Sequence, residues 1–172
     1  AKFDGCNFID TIFSKSILSS VSFKDITIES PSDFKLDQHT QLSTDSFTDI
    51  YQAIPSEKRE TFRKEIFKGT DLRLIDFQEF FKTAGADSLI GFSFSDSDLA
   101  LADLSNFKLN RVDFSRSIID NVIFDNAFLR DTNFEQASLQ GASLNKIRHD
   151  SVFTIFKDKS LQGTKFSTPT FI

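Results

Sequence analysis

A large apolar residue recurs every five positions through residues 91–145, in eleven consecutive blocks without an exception. The column comprises Phe94, Leu99, Leu104, Leu109, Phe114, Ile119, Phe124, Leu129, Phe134, Leu139 and Leu144. A second column, two positions earlier, is small or apolar: Phe92, Ser97, Ala102, Phe107, Val112, Ser117, Val122, Ala127, Thr132, Ala137 and Ala142. A period of five fits neither an α-helix, which repeats its apolar positions at three and four, nor a simple alternating strand.

The pattern instead predicts short extended pieces separated by turns. Residues two apart on an extended backbone point the same way, so each block directs one large and one smaller side chain inward. Successive coils would then stack about 4.8 Å apart and bury a central column that no single coil could bury alone. The expected fold class is an all-β solenoid.

Several blocks resemble the motif of the pentapeptide-repeat family, Ala-(Asp/Asn)-Leu-x-x with Phe replacing Leu. Examples are Ala102-Asp103-Leu104, Ala127-Phe128-Leu129 and Ala137-Ser138-Leu139. The resemblance implies a right-handed quadrilateral β-helix with four blocks in each coil. It implies little about function, because proteins with unrelated tasks share the motif.

Breaks in the repeat phase divide the chain into four regions. We predict first β-helix coils in residues 1–28, a loop and helical insertion or cap in 29–86, main β-helix coils in 87–150, and an irregular last coil in 151–172. Lys159 would occupy an inward position of that last coil, so we expect a distortion there.

The insertion is too rich in apolar residues to be a disordered linker, so we expect it to fold against the β-helix. Its sequence predicts a loop at 35–41, helices at 46–53, 56–67 and 77–83, and one stray repeat block at 69–76. Two interpretations remain open for it: a cap that covers an exposed coil edge, or an appendage that binds a partner.

Composition narrows the classes of partner. A net charge of −5 and a pI near 5.0 argue against nucleic-acid binding driven by overall charge. No apolar run is long enough to span a bilayer, and no signal peptide is evident. The single cysteine, Cys6, falls in the inward small column and is interpreted as a core residue. Because the chain begins at Ala1 inside a repeat, we expect it to be part of a longer protein.

Signatures of catalysis are missing from the sequence. His39 and His149 are not in a metal-binding spacing, and no glycine-rich phosphate loop is present. Asp98, Asp103 and Asp113 recur at the polar position of the motif and are interpreted as solvated carboxylates that make local hydrogen bonds. We therefore predict no enzyme activity, no cofactor, no metal and no small-molecule substrate.

With four blocks in each coil, one of the four predicted sides is rich in basic outward residues. It collects Lys108, Arg111, Phe128, Arg130 and Arg148, with Asp131 and Asp150 among them. Phe128 stands where the motif prefers Asp or Asn, and an aromatic residue between arginines is a plausible anchor for a protein partner. Alternatively, the insertion or a terminal segment covers it, and the outward Ile118 and Ile123 raise the same question.

We therefore predict a non-catalytic protein-binding scaffold. The resemblance implies a module of a bacterial effector, located in the bacterial cytoplasm or secreted into a host cell. It also implies an alternative, a DNA-mimicking inhibitor of a type II topoisomerase such as gyrase. The mild charge, the basic side and the interrupted repeat disfavour that alternative. A third possibility is the substrate-recruiting domain of a larger enzyme.

Overall fold

The two predicted inward columns form the core of the main array. The computed structural model describes residues 1–37, 40–85 and 87–148. All members of both columns between residues 92 and 144 are buried, and none is more than 6% exposed. Leu104, Phe124 and Leu144 lie in this one column, so the predicted inward direction of the columns is confirmed.

Isolated parallel bridges join residues twenty positions apart, so the chain returns to the same side after four blocks. We number the four sides by their bridged residues. The first side contains Ser93, Asp113 and Asn133; the second Asp98, Ile118 and Ser138; the third Asp103, Ile123 and Ser143; the fourth Lys108, Phe128 and Arg148.

A left-handed backbone conformation at the first position of the blocks turns the chain from one side to the next. From residue 91 to 146 these corner residues have φ between 50° and 73°. The carboxylates of Asp98, Asp103 and Asp113 each accept a hydrogen bond from the N–H two residues later, at 2.9 to 3.0 Å. The predicted local hydrogen bonding of these aspartates is confirmed.

Six short strands form the N-terminal coils: β1 (Asn7–Phe8), β2 (Thr11–Phe13), β3 (Ile17–Leu18), β4 (Thr27–Ile28), β5 (Phe34–Leu36) and β6 (Gln41–Leu42). β1 pairs with β4, β2 with β5 and β3 with β6, all in parallel. The loop predicted at 35–41 is therefore wrong over β5 and at residue 41. Extra residues lengthen the connection between β4 and β5. They interrupt the five-residue period, but β5 still pairs with β2.

Three α-helices follow: α1 (Thr44–Ala53), α2 (Arg59–Phe62), which a 3₁₀ turn precedes at Ser56–Lys58, and α3 (Phe77–Ala84). Ser43 caps α1 and Asp76 caps α3, each accepting from the N–H three residues on. The helices predicted at 46–53 and 77–83 are confirmed to within two residues. The helix predicted at 56–67 is wrong beyond Phe62, because the following segment runs along the array: Ser93 N–H donates to Arg63 O and Gly69 N–H to Ser95 O, at 2.6 and 2.8 Å.

The second side runs through both stacks of coils, which are the N-terminal coils and the main array. Parallel pairs connect Ile17, Gln41, Asp71, Asp98, Ile118 and Ser138 in succession. The stray repeat block predicted at 69–76 is confirmed by the two bridges of Asp71, which link the N-terminal coils to the main array.

The helices fill the space between the two stacks. Ser46 of α1 donates a hydrogen bond to Leu18 O at 2.6 Å, and Gln78 of α3 donates one to Asp103 O at 3.1 Å. The ring of Phe47 lies 4.3 Å from that of Phe67, and both residues are fully buried. These are the contacts of a cap, whereas a partner-binding role of the insertion stays a prediction.

Some expectations fall outside the described residues. They concern His39, His149, Asp150 and the last coil with Lys159. Cys6 is half-buried and packs against the N-terminal core, as expected of a small apolar side chain.

Candidate protein-binding surface

The fourth side places three of the predicted surface residues in one column. Phe128 pairs with Lys108 on the preceding coil and with Arg148 on the following coil. Backbone hydrogen bonds hold this register: Phe128 N–H donates to Phe107 O at 2.9 Å, and Arg148 N–H to Ala127 O at 2.7 Å. Residues bridged in this way lie about 4.8 Å apart, so their side chains project as neighbours from one surface.

Phe128 and Arg148 contact each other directly. The guanidinium carbon of Arg148 lies 5.1 Å from the centroid of the Phe128 ring, within the range of a cation–π interaction. Phe128 is half-buried and Arg148 is exposed. A flat aromatic ring is thus presented together with a positive charge, as at many anchor positions of protein interfaces.

Lys108 makes an ion pair with the segment that follows α3. Its Nζ lies 2.7 Å from an Asp87 carboxylate oxygen, and the two side chains are 44% and 66% exposed. A pair so exposed contributes little to stability, so Lys108 is available to exchange Asp87 for an acidic group of a partner.

Of the other two predicted residues, Arg111 occupies a corner and Arg130 directly precedes the corner residue Asp131. Arg130 approaches Asp131 at 3.7 Å. Arg111 has φ 60°, and its side chain lines a cleft beside the first side, together with Lys64 and Lys68. The structure therefore groups Lys108, Phe128 and Arg148 on one side and directs Arg111 to a neighbouring surface. We call the group of three the Phe128 surface.

Side-chain pairs between coils reinforce the walls. Arg116 donates two hydrogen bonds of 2.7 Å to Asp96, and these hold the pKa of that carboxyl below its usual value. Arg73 joins Asp71 and Asp98 on the second side, at 2.7 and 3.3 Å, and its hydrogen bonds lower the pKa of Asp71. The Arg116–Asp96 and Arg73–Asp98 pairs thus join adjacent coils.

The family assignment rests on the repeat array. The family model described as pentapeptide repeats matches residues 97–136 and 119–148, with eight copies. Residues 97–148 belong to the pentapeptide-repeat family.

Solved structures of pentapeptide-repeat proteins are similar to this one. HetL of the cyanobacterium Nostoc sp. strain PCC 7120, involved in heterocyst differentiation regulation, is 14% identical over 94% of this chain and 85% of its own, with a TM-score of 0.37. A protein of the Arabidopsis thaliana thylakoid lumen is 19% identical over 57% and 59%, with a TM-score of 0.22. QnrB1, a plasmid-mediated fluoroquinolone resistance protein, is 14% identical over 96% and 84%, with a TM-score of 0.31.

At these identities and TM-scores, none of these neighbours assigns a function to this protein. No curated protein matches it in sequence. Within the described ranges, no group of three or more His, Cys, Asp or Glu residues is placed to hold a metal ion. None of the helices described above is long and apolar enough to cross a membrane.

Sequence reasoning missed two features of this protein. One is the cleft of Lys64, Lys68 and Arg111, whose lysines belong to the insertion and were not assigned to any side. The other is Leu101, which is 74% exposed at a corner with φ 71°. The sequence did contain a signal for Leu101, because a branched apolar residue there occupies a first block position, where Asn, Asp and Gly are common.

Proposed function

We propose that this protein is a non-catalytic scaffold whose Phe128 surface binds a protein partner. The proposed framework is a right-handed, four-sided β-helix that presents this surface without rearranging. The observation that carries the proposal is the column of Lys108, Phe128 and Arg148, which offers an aromatic ring between two cations on a rigid wall. Repeat proteins bind through extended surfaces of this kind.

The chemistry of the Phe128 surface favours an acidic partner segment with an apolar residue. The ring of Phe128 would pack against the apolar residue, while Lys108 and Arg148 would pair with carboxylates on either side. In its finer form the proposal is a module of a bacterial effector, in the bacterial cytoplasm or delivered into a host cell, where the partner would be a host protein.

A gyrase inhibitor that mimics DNA is less well supported. Mimicry of DNA needs a regular row of negative charge, but the fourth side carries cations and the insertion interrupts the coils. A supercoiling assay without inhibition at micromolar protein would remove this alternative. Recruitment of a substrate to a catalytic domain elsewhere would use the same surface, with the substrate as the partner.

Comparative affinity capture tests the Phe128 surface. Wild-type protein and a Phe128→Ala/Arg148→Gln variant would be immobilised at equal density, and each protein retained by the wild type would be purified for titration. We expect a partner whose affinity falls at least about 30-fold in the variant, as for an interface hot spot of about 2 kcal/mol. Ile118→Ala on the second side is the matched control and should leave the affinity unchanged. Equal binding of every retained protein to the Phe128 variant would contradict the proposal.

A further inference from the structure

A second surface, distinct from the Phe128 surface, lies where the insertion meets the first side. It is a cleft of about 340 Å³, at the lower end of the volumes of small-ligand sites. Lys64 and Lys68 reach it from the segment after α2, and Arg111 reaches it from the corner before Asp113. The cleft exists only because residues 63–69 run along the array.

The charge of the cleft is opposite to that of the chain. Four cations line it against two carboxylates, whereas the whole chain has a net charge of −5. Arg116 is engaged by Asp96, and the Asp113 carboxylate accepts hydrogen bonds from Ser115 N–H and the Asn133 side chain, both at 3.0 Å. The lining residues with this charge are Lys64, Lys68, Arg111 and Arg116, opposed by Glu65 and Asp113.

Three of these cations remain unpaired. Lys64, Lys68 and Arg111 form no ion pair with any residue in the described ranges. Lys68 lines the cleft together with Ser93 and Ser95 of the array. An anion that enters the cleft would therefore meet a local excess of positive charge.

The wall of the cleft supplies hydroxyl groups. Ser93, Ser95 and Ser115 line it and are 6%, 2% and 5% exposed. Ser93 Oγ lies 3.1 Å from Ser95 Oγ, but the Ser115 hydroxyl has no hydrogen-bond partner among residues 1–37, 40–85 and 87–148. A hydroxyl group that faces the cleft can donate a hydrogen bond to an oxygen atom of a ligand there.

We propose that this cleft binds a phosphate monoester. Three cations match a dianion better than a single carboxylate, and a tetrahedral phosphate can accept from the Ser115 hydroxyl below and from Arg111 at the rim at the same time. Lys64 and Lys68 supply the remaining charge from the insertion. The inference does not depend on the Phe128 surface, and it can be tested without a protein partner.

Titration of the ¹⁵N-labelled protein with inorganic phosphate, at constant ionic strength maintained with chloride, tests the site. We expect saturable shifts of the amide signals of Ser93, Ser95 and Ser115. Arg111→Gln and Ser115→Ala should each weaken binding about tenfold, the usual effect of losing one hydrogen bond to a charged group. Gln is tolerated at such a corner, since Gln136 occupies one with φ 56°.

Lys15→Gln is the matched control, because Lys15 is an exposed corner residue of the N-terminal coils. It should leave phosphate binding unchanged. Shifts that do not saturate, that spread evenly over exposed Lys and Arg residues, or that give the wild-type affinity in both Arg111→Gln and Ser115→Ala would overturn the proposal. Unshifted amide signals of the opposite sides would show that each variant is folded.

Two further ligands distinguish the source of the phosphate. A phosphoserine peptide and glycerol phosphate would be compared, with the unphosphorylated peptide as a control. Tighter binding of the phosphopeptide by tenfold or more would support the site and identify its ligand as a phosphorylated protein side chain. Equal affinities would support the site with a small phosphorylated molecule. Failure of both ligands to bind would overturn the proposal.

Discussion

At the scale of single residues, the corners of the coil impose the strictest requirement. Each corner residue adopts a positive φ, a conformation that Gly, Asn and Asp reach more easily than other residues. Most corners of the main array follow this preference, including Asn106, Asn121 and Gly141. Leu101 does not, and at 74% exposure its side chain has little burial to offset the backbone strain.

We therefore expect Leu101→Asn to raise the free energy of unfolding by about 1 kcal/mol, since Asn relieves the left-handed strain. Chemical denaturation followed by circular dichroism would measure the change. Ile118→Asn is the control, because Ile118 is also exposed, at 46%, but has an extended backbone in the second side. It should give no gain. A Leu101 variant no more stable than the wild type would show that the corner is not strained.

At the scale of structural elements, side-chain pairs connect each coil to the next. The Asp96 carboxylate on one coil accepts both hydrogen bonds from Arg116 on the following coil. Because this interaction lowers the pKa of Asp96 in the folded state, its contribution to stability is present above the unfolded pKa of about 3.9. That contribution disappears as the pH falls through the lower folded value.

The expected consequence is a pH-dependent effect of Asp96→Asn. The variant should be less stable than the wild type at pH 7, and the difference should vanish once the pH is low enough to protonate the carboxyl in the folded state as well. Asn keeps the positive φ of 62° at this corner. Thermal unfolding from pH 7 into the acid range would measure the difference in stability between the wild type and the variant. Asp10→Asn, at an exposed N-terminal corner, is the control. A constant difference at all pH values would exclude the ion pair as its cause.

At the scale of the whole molecule, the insertion connects two stacks of coils. α1 contacts the N-terminal coils through Ser46 and Asp49. The Asp49 carboxylate accepts a hydrogen bond from Phe23 N–H at 2.9 Å. α3 contacts the main array through Gln78, and the buried ring of Phe47 packs against Phe67, Phe77 and Phe80. Unfolding of either stack should therefore expose the same shared core.

Phe47→Ala should lower the free energy of unfolding by about 3 to 5 kcal/mol and uncouple the two stacks. Tyr51 on α1 is the only tyrosine, and the chain has no tryptophan, so tyrosine fluorescence reports on the insertion while circular dichroism reports on the coils. The two transitions should coincide in the wild type and separate in the variant. Gln52→Ala, exposed on α1, should change neither. Coincident transitions in Phe47→Ala would contradict the coupling.

The residues alone predicted the core of the main array and the family resemblance. They also predicted the local hydrogen bonding of Asp98 and two of the three helices. Each block decides locally which side chains point inward, because the direction of residues such as Phe94 and Leu99 depends on the backbone of their own five-residue unit, whereas their burial is completed by the stacked coils. The same local rule failed at β5, where extra residues shift the five-residue period but β5 still pairs with β2.

The neighbours across the surface were decided by the tertiary structure. Arg111 and Lys68 are far apart in the sequence, and they meet only because Arg63 and Gly69 hydrogen-bond to the array. That contact ends α2 early and creates the cleft over Ser115. Hydrogen bonds between an insertion and a coil depend on where the whole insertion packs, and no repeat period encodes that position.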